Sequence, residues 1–135
     1  MNARAVAAWS GAALVVALTS ANPVYRALVA LVALNVLLAL LPEGRSPRPV
    51  LVGTAVAAAL ATLLNPLLNH TGAHALASLP DWLPGIGGPL TLESLAYGLV
   101  TGTGVAAAVL AVAPLSLCLE PEDLVDALPR PLERT

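Results

Sequence analysis

Apolar and polar positions alternate in long blocks rather than singly, and this block pattern is the chain's first signal. Four runs dominated by Ala, Leu and Val cover roughly Ala5 to Leu18, Val24 to Leu41, Val50 to Leu64 and Leu92 to Leu119. A helix needs about 20 mostly apolar residues, at about 1.5 Å each, to cross a bilayer. All four runs approach that length, the first and third falling short of it unless flanking residues or local thinning help. The breaks between them are rich in Pro, Gly and Asn: Thr19 to Pro23, Pro42 to Pro49, and the long polar region 65–91. The pattern predicts an all-α integral membrane bundle of about four transmembrane helices in region 1–119. Residues 65–91 form an outer loop and residues 120–135 a cytoplasmic tail.

Composition agrees. The 135 residues are 58% hydrophobic and only 10% charged, with a mean hydropathy of +0.84, which is a membrane protein's balance. The net charge is −2, and all six basic residues are Arg. No basic patch invites nucleic acid. An N-in, C-in orientation puts Arg4, Arg45, Arg48, Arg130 and Arg134 in the cytoplasm and leaves Arg26 near the outer face, as basic residues in short loops prefer. Trp82 then sits at the outer interface, where indoles accumulate. The Ala, Leu, Val, Pro and Arg bias, with no Lys or Phe, favours a bacterial inner membrane. The second run starts so soon after the first that the pair reads as a helical hairpin rather than a cleaved leader.

Chemistry-bearing residues are few. Cys118 is the only cysteine, so neither an internal disulfide nor a multi-cysteine metal site can form, and it reads as a small buried hydrophobe. His70 and His74 are four apart, a spacing that on a helix would aim both rings at one metal ion. Pro66, Gly72 and the lack of further close ligands oppose this, Asp81 and Glu93 being the nearest candidates. No serine has a recognisable His and carboxylate partner, and Pro84 to Gly88 is a turn rather than a phosphate loop. No catalytic residue, cofactor or enzyme activity is expected. Asn35 is the one amide inside a span and reads as interhelical glue. No ionisable group lies mid-span, which argues against a self-sufficient ion-coupled carrier.

Gly98, Gly102 and Ala106 recur every four residues and make a small-residue stripe suited to close helix packing, within the bundle or against a partner. In the tail, Glu120 to Leu128 has an acidic first turn with Pro121 at the first helical position. This predicts a short helix whose Leu124, Ala127 and Leu128 share one face, with Asp123 beside them. Pro129 and Pro131 stop it.

Three blocks resemble the transmembrane T component of energy-coupling factor (ECF) transporters, the cobalt, nickel and vitamin importer family. Thr19 to Pro23, with Asn22 and Pro23, is similar to the family's Thr-x-Asn-Pro-Leu. Asn65, Pro66, Leu67, His70 and Gly72 match an Asn-Pro-Leu-Phe-x-His-x-Gly pattern, followed by Thr91, Glu93, Tyr97 and Gly98 in a stretch close to Thr-Leu-Glu-Ala-Leu-x-Tyr-Gly. Glu120 to Leu128 stands where the family enters its cytoplasmic coupling region.

The resemblance implies a scaffold and coupling subunit. It would bind ABC-type ATPase subunits, through Asp123, Leu124, Ala127 and Leu128 here, and hold a membrane S component that carries the solute. It also implies that the Asn-Pro-Leu-His-Gly stretch is an outer connection, that Thr91 and Glu93 cap the next helix, and that His70 and His74 are not metal ligands. It covers the N-terminal half of such a subunit only. The Ala-Arg-Gly or Ala-Arg-Ser coupling helices and the last span have no counterpart in the 135 residues, so a truncated or split subunit is expected. Two alternatives stand beside it: a small packing or assembly protein using the Gly98 stripe, and a His70/His74 metal-binding membrane protein.

Overall fold

A computed structural model describes residues 2–80 and 82–119. The tail residues Asp123, Leu124, Ala127 and Leu128, and also Asp81, lie outside the described residues. Among the described residues four helices and one hairpin follow in chain order: α1 (Ala3–Thr19), α2 (Pro23–Leu40), α3 (Arg48–Leu68), β1 (Ala75–Leu79), β2 (Gly88–Thr91) and α4 (Leu92–Cys118).

Each helix begins where a side chain takes up otherwise unpaired backbone N–H groups. Asn2 Oδ1 accepts from Arg4 N at 3.1 Å, and Asn22 Oδ1 accepts from Val24 N at 2.9 Å, with Pro23 in the first helical position. Ser46 Oγ accepts from Arg48 N at 3.3 Å, and Thr91 Oγ1 accepts from Ser94 N at 3.2 Å. Helices α2, α3 and α4 are long and apolar enough to cross a membrane, whereas α1, at 17 residues, is shorter.

α4 is the axis of the bundle. It packs against each of the other three helices, which touch one another much less. A third of its apolar window is buried, against 11% for α2 and α3, so those two helices turn most of their surface outward. Val32, Leu38, Val52, Val56, Leu60 and Leu63 are among the exposed large side chains, an apolar belt that would be a liability in water and is ordinary in lipid. One core cluster joins Ala33 and Leu37 of α2 to Leu110 and Ala113 of α4, with Trp9, Val50 and Leu117 against it.

The connection 65–91 departs from the expected outer loop, and the fold from a purely helical one. Residues Asn65 to Leu68 complete α3, and Pro66 is buried within its last turn. β1 and β2 then pair antiparallel, with Ala77 opposite Leu90, Leu79 opposite Gly88, and an irregularity between Ala75 and Ala77. Leu92 N donates to His74 O at 2.9 Å, so the ladder runs directly into the start of α4. Neither strand shows apolar and polar alternation: β1 is Ala-Leu-Ala-Ser-Leu and almost wholly exposed. Its pairing is held by the ends of α3 and α4 rather than by strand propensity. Asn35 likewise differs from expectation, being exposed and donating from Nδ2 to Leu31 O of its own helix at 2.8 Å.

Candidate functional site

The end of α3, the residues after it and the start of α4 fold into one polar unit. Pro66 has no N–H to offer the carbonyl four residues back, that of Thr62. This carbonyl faces the Gly98 α-carbon on α4, where any Cβ would collide with it and would lie 3.3 Å from Asn65 Cβ. One turn on, a Cβ at Gly102 would meet Ala58 O at 2.6 Å. Gly98 and Gly102 thus seat α4 on α3. Ala106 is only half-buried, and the buried seam passes to Ala107, Leu110 and Ala111.

Beyond the helix, residues 69–74 are non-helical, and this separates the two histidines. His70 Nδ1 lies 3.3 Å from Pro89 O, with the ring against Gly88. His74 Nδ1 donates to Glu93 Oε1 at 2.7 Å. Glu93 also accepts from the backbone N–H of Ala73 at 3.3 Å and of His74 at 3.4 Å, so one carboxylate in the first turn of α4 gathers three donors from the preceding connection.

Thr91 Oγ1 donates to Thr71 O at 2.8 Å, and Ser94 Oγ donates to Thr91 O at 2.9 Å. Between these bonds sits Gly72, with φ +146° and Thr91 Oγ1 only 2.7 Å from where a Cβ would stand. That position excludes any side chain. Thr91 and Ser94 are buried, while His74 and Tyr97 are strongly exposed.

The arrangement works as a clamp. Its hydroxyls and carboxylate are engaged by backbone groups and by one imidazole, and together they fix the exit of α3 to the entry of α4. The four-residue spacing of His70 and His74 does not bring the rings to one point, because no helix spans them. Among the described residues no cluster of three or more His, Cys, Asp or Glu could hold a metal ion. Of the motif positions, Asn65, Pro66, His70, Gly72, Thr91, Glu93 and Gly98 come together here. Leu67 is half-buried beside them, Tyr97 projects outward, and Asn22 and Pro23 start α2.

Sequence reading missed two arginine contacts, since each depends on a partner more than 70 positions away. Arg26 Nη1 donates to Val100 O at 3.3 Å, and Arg45 Nη1 donates to Leu117 O at 2.6 Å.

A helical bundle with three membrane-length helices defines a membrane protein by class. No family model, curated protein or solved structure matches the chain.

Proposed function

We propose that this chain is a non-catalytic subunit of the bacterial inner membrane, with four spans and both ends cytoplasmic. We assign its role as the scaffold and coupling component of an ATP-driven importer of the ECF kind. The observation that carries this reading is the folding of the two blocks of strongest resemblance, Asn65 to Gly72 and Thr91 to Gly98, into a single clamp. Residues that are scattered in sequence but meet in space act as one structural device, which is what a scaffold requires at the joint between two helices. The outward apolar faces of α2 and α3 leave room for membrane partners. In the importer reading these are an S component in the bilayer and ABC-type ATPase subunits on the cytoplasmic side.

The orientation rests on arginine placement. α1 crosses by borrowing flanking residues, since 17 residues reach about 25 Å against a hydrocarbon layer of about 30 Å.

The test is a mild-detergent pull-down of the tagged chain from its native membrane, with partners identified by mass spectrometry. Copurification of an ABC-type ATPase with a small membrane protein of S-component size is expected. Recovery of neither would sink the importer reading and leave a membrane packing or assembly protein.

A further inference from the structure

Arg26 is out of place by ordinary electrostatics. It stands in the first turn of α2, where the helix dipole disfavours a cation, and the only ion pair among the described residues joins His74 to Glu93. Its one side-chain hydrogen bond among those residues goes to Val100 O, and its Nε is sealed from solvent without a partner. The rest of the fork has no acceptor among the described residues, yet a guanidinium at a membrane boundary strongly favours a bidentate oxyanion.

The guanidinium, set between Val100 and Gly104, borders an apolar groove of about 310 Å³ walled by Ala17 and Leu18 of α1 and by Thr101, Gly104 and Ala108 of α4. Gly104 makes room for the arginine: a Cβ there would lie 3.2 Å from Nη1. From Thr101 to Val109 the groove runs about 12 Å along α4 at about 1.5 Å per residue, close to the depth of one leaflet at about 15 Å. Ala108 and Val109 also line a second apolar groove of about 430 Å³, together with Leu14, Val112 and Ser116.

Apart from Thr101 the walls of the first groove are apolar, and Arg26 is its one charged residue, a pairing that matches the charged headgroup and hydrocarbon chain of a lipid.

We propose that this groove is a phospholipid site, with the Arg26 guanidinium holding the phosphate of an anionic headgroup and one acyl chain lying along α4 from Thr101 toward Val109. The inference rests on the bilayer location of the bundle and is independent of the importer reading. It holds for whichever leaflet Arg26 faces. The occupant is a lipid rather than a free anion because the guanidinium borders the apolar trough.

The experiment is native mass spectrometry of the chain released from nanodiscs containing equal phosphatidylglycerol and phosphatidylcholine, for wild type, Arg26→Gln, Arg26→Lys and Ala108→Phe. Wild type should retain one phosphatidylglycerol in preference to phosphatidylcholine, whose phosphate is already neutralised by its own choline cation. Arg26→Gln should lose the headgroup preference and Arg26→Lys keep part of it. Ala108→Phe, which fills the trough and leaves the arginine intact, should lose the lipid altogether. Equal retention by wild type and Arg26→Gln would overturn the site. So would displacement of the bound lipid by millimolar inorganic phosphate, which would reveal a free-anion site, or a protein found in the groove in place of lipid. Carbonate extraction of native membranes tests the bilayer location separately: release of the chain would overturn the membrane reading and the lipid site together.

Discussion

The backbone carbonyl of Thr62 lies against the α-carbon of Gly98, and it is the one carbonyl of α3 that Pro66 leaves without a helical donor. A proline and a glycine more than 30 residues apart thus serve the same contact. The freed oxygen sits where a weak Cα–H···O contact can form, and the missing side chain on α4 allows the approach. In lipid, where apolar burial gives helices little reason to associate, such close backbone contact is a main source of cohesion.

Substituting this glycine should therefore loosen the α3 and α4 pair. Gly98→Ala is expected to lower stability by about 1–3 kcal/mol, the usual cost of overpacking a tight contact, read as a fall in the thermal midpoint in detergent. Gly53 is the internal control, because a Cβ there meets nothing within 4 Å. Gly53→Ala should leave the midpoint unchanged or raise it, by about 0.5–1 kcal/mol from helix propensity.

Glu93 should govern the order of the connection rather than the bundle. Removing its carboxylate in Glu93→Ala orphans the amides of Ala73 and His74 and the His74 ring. Hydrogen exchange at residues 72–75 should accelerate severalfold while exchange in α2 stays constant. His74→Ala should produce a smaller change, and the double variant should add little to Glu93→Ala alone, since the bond His74→Ala cuts is one that Glu93→Ala already removes.

At the other end of α4, Arg45 reaches Leu117 O, a cation on the last free carbonyls of a helix. Arg45→Ala is expected to cost about 1 kcal/mol and to raise cleavage by a soluble protease near Cys118. Unchanged cleavage there would show that the contact carries no stability.

Trp82 is 76% exposed, just past β1 in the hairpin connection. In a Trp9→Phe background, its fluorescence in vesicles should be quenched more by lipids brominated near the carbonyls than by lipids brominated mid-chain, as an interfacial indole requires. Equal quenching by a soluble quencher with and without lipid would place the hairpin away from the bilayer.

What was legible in sequence divides along physical lines. Helix positions follow from block hydropathy and from Asn22, Pro23 and Thr91 as start signals, and these local rules located all four helices to within a few residues. The close approach of α4 to a neighbour is also local information, because a Gly98 and Gly102 spacing needs no partner to be recognised. The hairpin was invisible, since Ala75 to Leu79 carries no strand pattern and pairs only because the helix ends hold it. In sequence Pro66 reads as a break, whereas in the last turn of a helix it deletes one bond and leaves the helix standing. The histidine pair does not share a face because α3 ends at Leu68, before either ring. Arg26 and Arg45 belong to the remaining category: their partners are backbone carbonyls, which any residue supplies and no sequence pattern marks.

Because α4 is staked at both ends, by the Glu93 clamp at one and by Arg45 at the other, and seated on α3 along its first half, it has no free end to pivot on. A force applied at its Glu93 end should travel along the α3 seat as along a tie rod, up to Pro114, the interior point where proline removes a helical hydrogen bond. Of the three helices packed round α4, α1 makes the least contact with its neighbours and so has the fewest restraints.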